Sequence, residues 1–272
     1  MQKTILITGA TDGIGLATAR ALSAMGHHLL LHGRNADKLA SAAQSIAATP
    51  DAGRVETYIA DLSSMREVEA LAAAIGNDHP RLDVLINNAG VFHTPDRRTN
   101  EGFDVRFAVN TFAPYLLTQR LLPLLGQDGR VVNVSSAAQA PVNPDALAGS
   151  TPIAEDFSAY AQSKLALTMW SHLEGQKHRA GGPLVVAVNP GSMLGSKMVR
   201  EGFGVDGGDI GIGADILCRA ALGSEFSDAS GRYWDNDAEC FADPHADAMD
   251  AARCAAVTEA ISAAISTVDS RP

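Results

Sequence analysis

Tyr160 and Lys164 stand four residues apart in Tyr160-Ala161-Gln162-Ser163-Lys164. On a helix that spacing puts both side chains on one face, an ammonium beside a phenol. A free phenol has a pKa near ~10 and exchanges protons poorly at neutral pH, but a fixed cation favours the phenolate and draws that pKa down. A phenol tuned in this way protonates a carbonyl oxygen or takes a proton from an alcohol. The pair alone has an ordinary alternative as solvated helix surface, so its meaning depends on what the fold brings to it.

The second chemical feature is Gly9-Ala10-Thr11-Asp12-Gly13-Ile14-Gly15. It follows the short apolar run Thr4–Thr8, which suits a buried parallel strand, and precedes a helical pattern from Leu16 to Met25 closed by Gly26. Strand, glycine turn and helix together form a phosphate cradle. The glycines let the backbone approach a pyrophosphate, and the helix N-terminus presents free N–H groups and a positive dipole end. Gly9, Thr11, Asp12, Gly13, Ile14 and Gly15 are therefore candidate cofactor contacts. The next strand, Leu29–His32, ends in Gly33-Arg34-Asn35 rather than in the acid that would hold a ribose 2′-hydroxyl. A small residue followed by Arg34, with Asn35 beside it, leaves room and charge for a 2′-phosphate. This favours NADP(H) and leaves NAD(H) open.

Alternating segments continue along the chain. A helix is expected over Ala36–Ala48, a strand over Arg54–Ile59, a helix from Ser64 to Ile75 and a strand over Val84–Ile86. Long helical periodicity covers Gly102–Leu125, and strands follow at Arg130–Val134 and Leu184–Asn189, with the Tyr160 helix, capped by Asp156 or Ser158, between them. Such alternation predicts an α/β fold: one Rossmann domain over residues 1–272, a doubly wound parallel sheet of about seven strands with helices on both faces. Ligands of such sheets bind outside the carboxyl ends of the strands. The polar motifs gather at those ends: Asp61 and Leu62, Asn88-Ala89-Gly90, Ser135-Ser136 and Pro190-Gly191-Ser192. Asp61 reads equally as an adenine contact or, with Ser63, as a helix cap, and Asn87–Gly90 as a ribose contact or a turn. Asn110, polar among apolar neighbours, is a structural bridge or part of a proton path. Two breaker-rich stretches, 137–159 and 192–210, read as the substrate loops, the second as a mobile flap. A last helix is expected around Gly213–Leu222, a strand at Ser230–Trp234 and a closing helix over Ala246–Ile265.

Bulk composition excludes other classes. The chain has 272 residues, 46% apolar and 19% charged, with a formal charge of −10, which argues against nucleic-acid binding. No apolar run reaches the ~18 residues of a membrane span, so a soluble cytoplasmic protein without a membrane partner is expected. Cys218, Cys240 and Cys254 show no metal-ligand spacing and read as reduced thiols. Asp235, Asp237, Glu239, Asp243 and His245 form an acidic run that reads as a solvated turn, and no metal site is expected.

Thr8–Gly15, Asn87-Asn88-Ala89-Gly90, Asn110, Ser136, Tyr160-x-x-x-Lys164 and Pro190-Gly191, in this order, resemble the short-chain dehydrogenase/reductase family across nearly the whole chain. Ser163-Lys164-Leu165-Ala166 and Ser230–Trp234 are similar to its retinol-dehydrogenase and WW-domain-oxidoreductase branch. The resemblance implies a reversible hydride transfer between a nicotinamide and a small carbonyl or alcohol substrate. It assigns Tyr160 as general acid/base, Lys164 as the cation that lowers its pKa and binds the nicotinamide ribose, Ser136 (with Ser135 as fallback) as the group polarising the substrate oxygen, and Asn110 as holder of a relay water. It also implies a homodimer or homotetramer paired through the two long helices. The alternative is a non-catalytic dinucleotide sensor or scaffold on the same fold, although such proteins commonly lack the Tyr or the Lys. The chain departs from the family pattern in a long Ser136–Tyr160 gap and in lacking a threonine shortly after Pro190-Gly191.

Overall fold

The computed structural model describes residues 1–269. Its strands are β1 (Thr4–Ile7), β2 (His28–Gly33), β3 (Val55–Ile59), β4 (Val84–Asn87), β5 (Arg130–Val134), β6 (Leu184–Asn189), β7 (Tyr233–Asp235) and β8 (Cys240–Ala242). They form one sheet in the order β3-β2-β1-β4-β5-β6-β7-β8. Every pairing is parallel except β7 with β8. The sheet therefore has eight strands where about seven were expected. The extra one closes a short hairpin in which Trp234 pairs with Phe241, packing edge-to-face at 4.9 Å. The order reverses between β1 and β4, the position at which open α/β sheets form a ligand crevice.

Helices α1 (Gly13–Ala24), α2 (Ala36–Ala47), α3 (Met65–Asp78), α4 (Val105–Phe107), α5 (Ala113–Leu125), α6 (Pro144–Leu147), α7 (Asp156–His178), α8 (Lys197–Phe203), α9 (Ile210–Leu222) and α10 (Ala251–Asp269) complete the chain. Successive strand residues point to opposite faces, and both faces are covered. Ile5, Ile7, Leu29, Leu31, Val84 and Ile86 pack against Leu22, Leu39 and Ile216 of α1, α2 and α9. Leu6, Leu30, Leu85 and Val131 pack on the other side with Leu71, Leu116, Leu121 and Trp170 of α3, α5 and α7.

The same cluster holds Ile261, Ala264, Ile265 and Val268 of α10. The closing helix thus lies on α7, burying apolar surface on which the expected subunit pairing rested. Between α4 and α5 the helix passes through a π-turn at Ala108–Phe112, which places Asn110 at its centre. Single π-turns inserted in helices re-aim side chains and are frequent at functional sites.

The two expected substrate loops carry more order than their breaker-rich sequences suggest. Within 137–159, α6 is capped by Asn143, and Ala146 and Leu147 are buried in the core. Within 192–210, α8 is capped by Ser196. Among the described residues no helix is long and apolar enough to cross a membrane.

Candidate active site

The glycine turn is held from three sides. Gly9 has φ +66°, a conformation that favours glycine, and a Cβ there would lie 2.9 Å from Ala89 Cα. A Cβ on Gly15 would fall 2.3 Å from both Gly9 O and Asn88 Nδ2. Asn88 explains this crowding: its amide donates to Thr8 O (2.9 Å) and Gly9 O (3.1 Å). Thr8 Oγ1 in turn accepts from the backbone N–H groups of Asn88 (3.0 Å) and Ala89 (3.1 Å). The Asn88 side chain therefore splices the end of β4 to the glycine turn. Thr8 thus builds the site through its hydroxyl, a role that its place at the head of the glycine motif does not reveal.

His32 also builds the site. It lies buried at the end of β2, where Nε2 meets Ala60 O at 3.0 Å and Nδ1 meets the Gly9 N–H at 3.3 Å. Burial pushes its pKa down despite the Ala60 bond. A neutral imidazole, donating from Nε2 and accepting at Nδ1, satisfies both contacts.

The remaining cofactor-side residues divide by role. Asp12 caps α1 by accepting from Gly13 N at 2.7 Å. Asn35 caps α2 by accepting from Lys38 N at 2.9 Å, so its side-chain oxygen is committed to the helix. Arg34 is exposed just beyond β2, while Gly33 packs so tightly that a Cβ would lie 2.6 Å from Thr11 Cγ2. Asp61 accepts from Ser63 N (2.9 Å) in a local turn, and the cap of α3 is Ser64, not Asp61 with Ser63. Leu62 is a core residue and offers only its backbone. Ile14 packs near Gly213, against which α1 and α9 approach closely.

At the other strand ends the expected acidic turn proves to be partly a clamp. Asn189 donates to Asp235 (2.8 Å) and Asp237 (2.9 Å), and Ser192 N donates to Asp237 Oδ1 at 2.8 Å. Burial opposes ionisation of Asp237, but bonds from Ser192 and Asn189 hold its carboxyl below the usual range. Asn236 donates to Pro190 O at 3.1 Å. The β7–β8 hairpin thereby fixes Pro190, Gly191 and Ser192, while Glu239 and Asp243 stay exposed and His245 caps a later turn.

Tyr160 and Lys164 lie one turn apart on α7, as the spacing implied. Two alternatives in the sequence are resolved here. Ser135 points inward and is buried against Thr168 Oγ1 at 2.7 Å, whereas the half-buried Ser136 hydroxyl bonds the Tyr160 phenol. Neither Asp156 nor Ser158 caps α7. Asp156 instead accepts from His93 (2.8 Å) and from the wholly buried Arg106 (2.5 Å), which Asp104 also grips.

The phenol itself differs from expectation. Burial pushes the Tyr160 pKa up, and Ser136 is the group that pulls it back. Lys164 does not supply that pull in this state. Its Nζ donates to Val134 O at 2.7 Å and sits 5.7 Å from the Tyr160 ring centroid. Burial lowers its own pKa to about 8. Asn110 is also fully engaged: Nδ2 donates to Val91 O and Ser163 Oγ (both 2.9 Å), and Oδ1 accepts from Val91 N (2.8 Å). A Cβ on Gly90 would lie 3.4 Å from Asn110 Oδ1 and 3.6 Å from Lys164 Nζ, so Gly90 is the floor between them. Met198 of α8 reaches the same floor, 3.8 Å away, and Ser196 and Ile210 come equally near Gly13.

Beside Tyr160 the walls are aromatic. Phe92 packs edge-to-face on the phenol ring at 5.3 Å and stacks on Phe203 at 5.2 Å. A cavity of about 460 Å³ opens beyond it, lined by Phe92, His93, Arg97, Asp156, Phe157 and Glu201 among others.

Residues 3–203 match the family model for short chain dehydrogenases. The chain belongs to the short-chain dehydrogenase family. Human retinol dehydrogenase 13 is 31% identical over 269 residues, covering 92% of this chain and 81% of that protein. Human polyprenol dehydrogenase is 37% identical over 200 residues, covering 70% of this chain and 60% of its own length. These relatives put the chain in the retinol-dehydrogenase-like branch, whose members act on CH–OH groups. Among solved structures, a short chain dehydrogenase from Shigella flexneri complexed with NADP superposes with a TM-score of 0.69 at 26% identity, covering 86% of this chain and 97% of that one.

Proposed function

We propose that this short-chain dehydrogenase reduces apolar aldehydes or ketones, or oxidises the matching alcohols, with NADP(H) and with Tyr160 as the general acid/base. The observation that carries the reading is the pairing of the Ser136 hydroxyl with the Tyr160 phenol, one helical turn from Lys164 at the Gly90 floor, near a glycine turn shaped to admit only backbone. The residues fit a dinucleotide. Gly9 and Gly15 leave no room for a Cβ, and the α1 N-terminus faces the turn. Arg34 is exposed at the end of β2 with charge for a 2′-phosphate. Bound there, the nicotinamide supplies or accepts a hydride.

The chain's own residues handle the proton and the oxygen. Ser136 Oγ accepts from Ala138 N at 3.1 Å, which leaves its hydroxyl hydrogen for the substrate oxygen or the Tyr160 oxygen. In reduction the Tyr160 phenol gives its proton to the carbonyl oxygen as negative charge develops there. In oxidation the phenolate takes the hydroxyl proton of the alcohol. Asn110 and Val134 hold Lys164 and the loop at Val91 in place behind this exchange. Phe92, Phe203 and the half-exposed Phe157 offer an apolar substrate a wall beside Tyr160, while His93, Arg97 and Glu201 line the cavity beyond with polar groups. The names of the retinol and polyprenol relatives support the same direction.

Replacing Tyr160 by Phe removes the exchangeable proton and keeps the ring. NADPH binding is expected to survive, tighter than NADH by at least tenfold, while turnover of a medium-chain aldehyde drops at least 100-fold, within the usual range for a lost acid/base group. Turnover within a few-fold of the parent would overturn the assignment of Tyr160, and equal affinity for both cofactors would overturn that of Arg34.

A further inference from the structure

We propose that His28, Glu56 and His79 bind one divalent transition-metal ion of the zinc type, at the opposite end of the sheet from Tyr160. His28 opens β2, Glu56 lies on β3, and His79 follows the last turn of α3. All three therefore sit at the amino ends of the strands, whereas the dehydrogenase site occupies the carboxyl ends. One ligand atom from each lies within 4.8 Å of the others. Glu56 Oε1 is 2.7 Å from His28 Nε2, and Glu56 Oε2 is 3.8 Å from His79 Nε2. The imidazoles meet edge-on with centroids 5.5 Å apart.

The donor set is two imidazole nitrogens and a carboxylate, which suits zinc with water completing the shell. Ligands held at about 2.0–2.2 Å in a tetrahedron stand roughly 3.3 Å apart. Side-chain rotations reach this geometry: from 2.7 Å the His28–Glu56 contact opens by about 0.6 Å, and the longer gaps, 3.8 Å and at most 4.8 Å, close by about 0.5–1.5 Å. The side chains are 14%, 22% and 10% exposed, so an ion has an entry path but little competing water.

Neighbouring groups are placed as outer-shell partners. Thr4 Oγ1 lies 3.5 Å from His28 Nδ1, on the nitrogen left free when Nε2 ligates. The Tyr58 hydroxyl lies 2.9 Å from His79 Nε2 and 3.0 Å from Asp78. It turns to the metal-bound water when Nε2 is taken, with Asp78 as the acceptor beside it. Arg54 also contacts Glu56, at 3.0 Å, but is 72% exposed and moves into solvent at small cost. The ion would tie β2, the edge strand β3 and the end of α3 together.

The test uses the full chain after chelator treatment, titrated with zinc sulfate by calorimetry, with metal content measured after dialysis. One equivalent is expected to bind with a low-micromolar or tighter Kd and to raise Tm, and Co²⁺ is expected to give the visible absorption of a four-coordinate ion. His79→Gln and Glu56→Gln are each expected to weaken binding at least tenfold, while His245→Gln binds as the parent does. Failure of the parent to bind Zn²⁺ at 100 µM (about fifty times a low-micromolar Kd) would overturn the proposal, whatever the variants do. Full retention of the ion by a folded Glu56→Gln, judged by circular dichroism, would overturn it as well.

Discussion

Lys164→Met is expected to make the cofactor-free protein more stable and the enzyme inactive. Lys164 is 3% exposed, and burial lowers its pKa from 10.5 to about 8. Each pKa unit corresponds to about 1.4 kcal/mol, so holding the ammonium in the folded state at pH 7 costs about 3 kcal/mol. Methionine has a similar length and no charge. It gives up the bond from Nζ to Val134 O, worth about 1 kcal/mol. The net expectation is a gain of about 2 kcal/mol, or a Tm rise of about 3–4 °C for a chain of this size. The pH dependence follows from the direction of the shift. Between pH 8 and 10.5 the unfolded chain binds more protons than the folded one, so parental stability rises with pH through that window. Below pH 8 both states are protonated and the full cost is present. Urea unfolding at pH 7 and pH 10 measures both effects, and the advantage of Lys164→Met should shrink toward the higher pH. A variant less stable than the parent at pH 7, or an advantage independent of pH, would refute the reasoning. The residue proposed to serve the chemistry is then one that the fold alone disfavours.

Other consequences follow from the packing. Gly15→Ala drives a methyl into Gly9 O and Asn88 Nδ2, and is expected to cost about 1–3 kcal/mol in urea unfolding and to abolish NADPH binding. Asp104→Ala leaves the wholly buried Arg106 guanidinium with Asp156 alone, and a loss of about 3 kcal/mol or more is expected by the same assay. Because α10 packs on α7, the full chain is expected to scatter light as a monomer at micromolar concentration, whereas removal of residues 251–272 is expected to uncover Leu165 and Met169 and to produce association.

Much of this protein was legible in one dimension because its signals are local. The buried strands read as apolar runs, and the glycine turn, the Tyr160–Lys164 spacing and the order of the strand-end motifs are all short-range patterns. They give a parallel α/β sheet and a nicotinamide-type site without any knowledge of packing. The caps of α3 and α7 were misplaced because several polar residues compete at each helix start, and distant partners such as Arg106 decide among them. Ser135 and Ser136, adjacent just beyond β5, are told apart only by their distant partners, Thr168 for the first and Tyr160 for the second.

What the tertiary structure alone decided is the work of groups brought together from far along the chain. Asn88 reads as a turn residue until Thr8 and Gly9 come within its reach. The acidic run at 235–243 reads as solvated until Asn189 and Ser192 arrive to be clamped. The apolar face of α7 looks open until α10 folds back onto it. Lys164 looks like the cation beside a phenol, and burial instead turns it toward Val134 and leaves the phenol to Ser136. The spacing of Tyr160 and Lys164 fixed that the two share a helix face. The depth at which that face is buried, and hence the charge each group carries, depends on every element packed around it.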